Sequence, residues 1–192
     1  KIVVEVYDDP KFRAQLADAV RSLPVGSSWS LATRVGPLIR PPSGDLDGAL
    51  KTLEPGESWL VRPHPDPVNP NLWSPGVKWG VTAGTVTHLT EFFGPVLGVM
   101  RFERLEEAID LVNATGYGLT SGLSSLDERE HVIWKERIRA GNLYINRGTT
   151  GAIVLRQPFG GWGQSSVGPG FKAGGPNYLV PLLTLRPREA VG

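Results

Sequence analysis

Hydrophobic periodicity is clear over residues 2–23 and 95–146 and weak between and after them. Residues 2–7, Ile-Val-Val-Glu-Val-Tyr, are rich in β-branched side chains and predict a strand. Asp9-Pro10 then reads as a helix start, with Asp as cap and Pro at the first helical position. Phe12, Leu16, Val20 and Leu23 follow at helical spacing, which carries the helix to about Ser22, before Pro24 and Gly26. Residues 24–57 lack a sustained period, although Leu46, Leu50 and Leu53 allow a short helix over 45–53. Trp59–Val61 and Leu72-Trp73 read as strands around a proline-rich connection, and residues 79–90 are expected to hold a strand near Val86.

From Pro95 the order becomes regular. A strand over 96–102 is followed by a helix over 104–114, marked by Leu105, Ala108, Ile109 and Val112 and closed by Gly116 and Gly118. A strand over 119–125 precedes a helix capped by Asp127, with Glu130 as capping-box partner and an end at Gly141. Residues 142–146 are the next strand. This strand–helix alternation predicts an α/β fold with a parallel-type sheet flanked by helices. In such sheets ligands gather at the carboxyl ends of strands, here at Asn146. A glycine-rich stretch, 149–179, follows, with glycines at 151, 160, 161, 163, 168, 170, 174 and 175. That density suits sharp turns or close backbone approach, and equally a surface loop. The apolar run 178–185, with Pro181, suits an edge strand.

Composition narrows the chemistry. With 20 basic and 19 acidic residues the net charge is +1, which argues against charge-driven binding to nucleic acid or a membrane surface. There is no cysteine, so the chain can form no disulfide, no thiolate metal site and no cysteine nucleophile of its own. Three scattered histidines, at 64, 88 and 131, make a zinc site improbable, and no metal ligand set is assigned. No apolar run nears the roughly 18 residues of a membrane span. No histidine stands at a telling distance from Ser165 and Ser166 to suggest a serine triad. The chain opens inside a strand, so an N-terminal part is expected to precede Lys1.

Three short motifs could carry binding. In Glu91-Phe-Phe93-Gly-Pro-Val96, the carboxylate could accept two hydrogen bonds from a ribose diol, and a phenyl face could receive a nicotinamide ring. The alternative is a solvent-facing Glu beside core aromatics. In Gln157-Pro-Phe159-Gly-Gly161 the Phe is either a fixed aromatic wall or a core anchor. Thr150-Gly151-Ala152 leaves backbone N–H groups uncovered, enough to bind a carboxylate, or forms an ordinary tight turn.

Taken together, residues 91–96 (EFFGPV), 113–119 (NATGYGL), 140–146 (AGNLYIN) and 157–161 (QPFGG) resemble the aldehyde dehydrogenase superfamily in order and spacing. Residues 6–12 and 35–39 extend the resemblance over essentially the whole chain. Residues 150–154, 156–161 and 172–179 resemble its 1-pyrroline-5-carboxylate dehydrogenase branch, which in bacteria is often fused behind a proline dehydrogenase. Leu155, Trp162 and Ser166 stand where that branch more often has small residues.

The resemblance implies a partial catalytic domain over 1–179 and a C-terminal oligomerisation strand or tail over 180–192. It implies cytoplasmic oxidation of L-glutamate γ-semialdehyde to glutamate with NAD, in a homo-oligomer. Glu91 would hold the nicotinamide ribose and Phe93 would lie beside the nicotinamide. Gly151 and Ala152 would anchor the substrate's α-carboxylate, and Phe159 would line the aldehyde pocket. No catalytic residue is expected in this segment, because the family's nucleophilic Cys, general-base Glu and oxyanion Asn map upstream of Lys1. Another aldehyde, or a silent assembly module, are the competing readings; the intact Glu91 and Gln157–Gly161 argue against the second.

Overall fold

The helix start expected at Asp9 forms through the mechanism its residue types suggest. The Asp9 carboxylate accepts the Lys11 N–H at 2.8 Å, and Pro10 opens helix α1 (Pro10–Arg21). The computed structural model describes residues 1–151, 153, 159–167 and 179–184. It divides into two compact units, Lys1–Thr115 and Gly116–Gly192.

The first unit is built on a four-stranded mixed sheet. Its strands are β1 (Ile2–Val4), β2 (Ser58–Val61), β3 (Gly76–Trp79) and β4 (Val96–Arg101), in the order β1-β4-β3-β2. β4 pairs in parallel with β1 on one edge and β3 on the other, and β2 pairs antiparallel with β3. Ala17 of α1 joins Val61, Val77, Trp79 and Val99 in one core, with Phe12, Leu16 and Val20 packed against it. The remaining helices are α2 (Gly44–Lys51), the short α3 (Val86–Leu89) and α4 (Leu105–Asn113).

The second unit contains β5 (Tyr117–Gly118), β6 (Thr120–Leu123), α5 (Glu128–Arg137), β7 (Asn142–Ile145) and β8 (Trp162–Gly163). β6 and β7 are parallel and joined through α5, the strand–helix–strand unit that periodicity predicted. β5 and β8 form a separate antiparallel pair. Asp127 caps α5 by accepting the Arg129 N–H at 2.8 Å. Glu130 completes the cap indirectly: it hydrogen-bonds the Ser125 hydroxyl, which accepts the Asp127 N–H.

Several expectations change. The strand over 2–7 stops at Val4, and Val6–Asp8 turn as a 3-10 helix that stacks Tyr7 on Trp79 at 4.4 Å. Leu72-Trp73 makes one isolated bridge, Pro65 with Trp73, because prolines 63, 65, 67 and 70 withhold ladder donors. The strand near Val86 is instead the helical turn α3, capped by Thr85 and by the Glu54 carboxylate. β4 and β6 do not share a sheet, since both edges of β4 are already taken. The helix expected to end at Gly141 ends at Arg137. In the apolar tail Val180–Leu182 form a 3-10 turn rather than a strand, with Pro181 in its first positions supplying a φ suited to a turn; residues 185–192 lie outside the described residues.

Candidate functional site

The first candidate site grows from the turn between β3 and β4. α3 has four residues, too few to hold itself, since a helical nucleus costs more than its first bond returns. Thr85 caps it locally, its hydroxyl accepting the His88 N–H at 3.3 Å, and the first two amides are taken by a residue far away in sequence. The Glu54 carboxylate accepts the N–H of Val86 at 3.2 Å and of Thr87 at 2.9 Å. The Thr87 N–H is the main reason the Glu54 carboxyl titrates below its usual range; partial burial opposes it, and Val86 adds to the lowering. Together with the Thr85 cap, this carboxylate holds Val86–Leu89 as a helical turn.

Two buried side chains fix the same turn. Lys78, 2% exposed, pairs with Glu57 at 3.0 Å and donates to the Thr87 hydroxyl at 3.1 Å. His88, also 2% exposed, accepts the Gly84 N–H on Nδ1 at 3.0 Å. Its Nε2–H therefore donates to the Leu111 carbonyl at 2.8 Å, tying α3 to α4. This histidine is a packing residue.

The chain leaves this clamp as Thr90-Glu91-Phe92-Phe93-Gly94. Phe93 adopts φ 52°, a conformation that costs a non-glycine residue about 1–3 kcal/mol, and the residue is 82% exposed. At Gly94 a β-carbon would lie 2.3 Å from Leu46 Cδ1, so a larger residue there would have to displace the Leu46 side chain. Glu91 and Phe93 line one cleft of about 260 Å³, together with Lys1, Thr87, Gly94 and Gly98. Gly98 leaves that part of the lining without a side chain. Lys1 Nζ donates to the Thr90 carbonyl at 2.5 Å. Burial pushes the Lys1 ammonium pKa down, and the nearby Glu91 carboxylate partly restores it. The cleft thus offers a carboxylate, an ammonium and an exposed aromatic face.

The second unit carries the other three sequence-selected residues. At the end of β7, Asn146 takes φ 53° and clamps Ser125: its Oδ1 accepts the Ser125 N–H at 3.0 Å and its Nδ2 donates to the Ser125 carbonyl at 2.8 Å. The side chain replaces a strand partner while the backbone turns away. Gly151 is exposed at φ 96°, a value suited to glycine. Ala152 lies outside the described residues. Phe159 is half-buried. The segment after it is held by close backbone contact. A β-carbon on Gly141 would lie 1.8 Å from the Gly160 carbonyl oxygen. Buried Asn142 donates from Nδ2 to the carbonyls of Leu119 at 3.0 Å and Gly160 at 3.5 Å. Gln164 N–H donates to the Gly116 carbonyl at 2.9 Å, and Gly118 N–H to the Ser165 hydroxyl at 3.1 Å.

Sequence reasoning missed Glu54, Glu57, Lys78 and Thr87. One signal was available for Lys78, a lone charge between Val77 and Trp79 in a four-residue strand that proves wholly buried. Among the described residues no group of three His, Asp or Glu side chains could hold a metal ion. No described helix is long and apolar enough to cross a membrane.

Residues 1–185 match the model of the aldehyde dehydrogenase family. The chain belongs to that family. It is 35% identical over 187 residues to the bifunctional protein PutA of Escherichia coli (strain K12), an alignment that covers 92% of this chain and 14% of that protein. The structure of proline utilization A (PutA) from Corynebacterium freiburgense superposes with a TM-score of 0.87 at 49% identity, covering 99% of this chain and 20% of that one. A 1-pyrroline-5-carboxylate dehydrogenase from Thermus with bound NAD gives a TM-score of 0.73 at 28% identity, covering 85% of this chain and 32% of that one. The chain therefore spans less than a third of each relative's length.

Proposed function

We propose that the chain is part of an NAD-dependent oxidoreductase that converts L-glutamate γ-semialdehyde, formed from 1-pyrroline-5-carboxylate, to L-glutamate in proline catabolism. The observation that carries this reading is the shared cleft of Glu91 and Phe93, in a chain similar along nearly its whole length to PutA. The donor set fits the nicotinamide half of a dinucleotide. Glu91 would accept from the ribose hydroxyls, and the exposed Phe93 ring would receive the nicotinamide face. Gly98, in the lining, leaves room for both. Bound there, NAD would supply the hydride acceptor. The thiolate that the family's chemistry uses cannot come from this chain, which has no cysteine. It would be supplied from outside these 192 residues.

On the substrate side, Gly151 and Ala152 would offer backbone N–H donors to the α-carboxylate, and Phe159 would set the depth of the aldehyde pocket. Residues 1–179 would belong to the catalytic domain, within a protein that also carries a proline dehydrogenase domain. Residues 180–192 would serve a homo-oligomeric contact. Removing residues 180–192 from the full-length protein should lower its solution mass; an unchanged mass takes the tail out of the interface.

The substrate is tested at Ala152. Ala152→Leu in the full-length enzyme should block the carboxylate and leave NAD binding intact. The expected loss in kcat/KM is about tenfold greater for glutamate semialdehyde than for a simple aliphatic aldehyde, or about 1.4 kcal/mol. Equal losses on both substrates would point to a disturbed loop and remove the assigned substrate.

A further inference from the structure

We infer that the hydrogen-bond chain Lys78–Thr87–Glu54 is a positioning device that sets where Glu91 and Phe93 stand in the cleft. The inference rests on the proposed reading of that cleft as the dinucleotide site. Lys78 Nζ donates to Thr87 Oγ1 at 3.1 Å, and the Thr87 N–H in turn donates to the Glu54 carboxylate at 2.9 Å. The ammonium at the head of the chain is itself held by buried Glu57 and lies 5.6 Å from the Trp59 ring centroid. Three separate segments, around residues 54–57, 78 and 87, thus meet at Thr87, Lys78 on its hydroxyl and Glu54 on its N–H.

The arrangement has mechanical consequences. Glu91 follows Thr87 by four residues, and the residues from Thr90 to Gly94 form neither helix nor strand. Their course is set at the two ends, by the clamped α3 turn before them and by β4 after them. Movement at Thr87 is therefore passed to Glu91 and Phe93. A displacement of about 1 Å at a positioning group can cost on the order of a hundredfold in rate.

Thr87 also separates its two halves usefully. Its hydroxyl belongs to the clamp, whereas its methyl packs over Gly98 in the lining of the cleft, 3.1 Å from where a β-carbon on Gly98 would lie. Direct contact with a bound dinucleotide would involve the methyl, and positioning would involve the hydroxyl.

The test uses the full-length enzyme, with NAD binding measured by calorimetry and thermal stability measured alongside. Thr87→Val keeps the shape and removes the hydroxyl; it should raise the Kd for NAD about tenfold, and Thr87→Ser should restore it to within about twofold. If Thr87→Val lowers Tm and leaves the Kd unchanged, the chain is structural and the inference falls. If Thr87→Ser loses as much affinity as Thr87→Val, restoring the hydroxyl does not restore binding and the inference falls. Glu91→Gln distinguishes dinucleotide binding in the cleft from the positioning role of Thr87. Should it leave the Kd unmoved, the dinucleotide reading fails and takes this inference with it. Should it weaken binding while Thr87→Val does not, only the positioning role is lost.

Discussion

The cleft around Glu91 and the segment around Phe159 are held in opposite ways. The first hangs on charged and polar side chains: the Glu54 carboxylate on two amides, the Lys78–Glu57 pair, and the His88 ring between two backbone groups. The second is held mainly by the absence of side chains. Gly141 lies against the Gly160 carbonyl, the Gly116 carbonyl accepts the Gln164 N–H, and the Gly118 N–H donates to the Ser165 hydroxyl. A side-chain clamp can be altered by removing one charge, and a glycine contact by adding one carbon. The two regions should therefore fail differently under mutation.

The largest effect is expected at Lys78. Lys78→Met leaves the Glu57 carboxylate buried without its cation, and Glu57 Oε1 already has no hydrogen-bond partner among the described residues. Breaking a buried pair from one side costs about 3–5 kcal/mol, whereas replacing both charges by apolar groups is often close to neutral. Denaturant titration should show a large loss for Lys78→Met and substantial recovery for Lys78→Met with Glu57→Leu. A loss under about 1 kcal/mol would place the pair with ordinary surface bridges and dissolve the contrast between the regions.

Gly141→Ala probes the other side. The new β-carbon would meet backbone, which cannot rotate away, so a cost of about 1–3 kcal/mol or more is expected. NAD affinity should hold while turnover of the aldehyde falls. A loss of NAD affinity instead would mean that the regions do not fail independently.

The smallest effect is one of pH. The Glu54 carboxyl titrates below 4.5, its ordinary value, in the folded protein. A depressed carboxyl stabilises the fold above the ordinary value, and that contribution is lost as pH falls through the folded value. Glu54→Gln removes the titration, so the stability gap between wild type and Glu54→Gln should be constant near neutrality and close in the acid range. A gap that does not narrow on acidification would show that the amide cap does not depend on the charge.

The sequence by itself determined what depends on near neighbours. Asp9-Pro10 started α1, Asp127 capped α5, and the spacing of Leu105, Ala108, Ile109 and Val112 marked α4, because caps and helical faces are set by residues within a turn of one another. It also picked out Glu91 and Phe93, which the fold brings to one cleft, and Phe159, whose following glycines meet Gly141 and Asn142. Tertiary structure decided the rest. Val86 looks like a strand residue, and it opens a helical turn in which a carboxylate 32 residues away accepts its amide, alongside the local Thr85 cap. Lys78 looks like a surface charge, and it is buried because Glu57 on the neighbouring segment neutralises it. β4 reads as the first strand of the later α/β unit, yet β1 and β3 occupy both its edges. Each of these outcomes turns on a partner distant in sequence. Hydrogen bonds and charges act across space, and local periodicity has no term for a donor or acceptor that arrives from elsewhere in the chain.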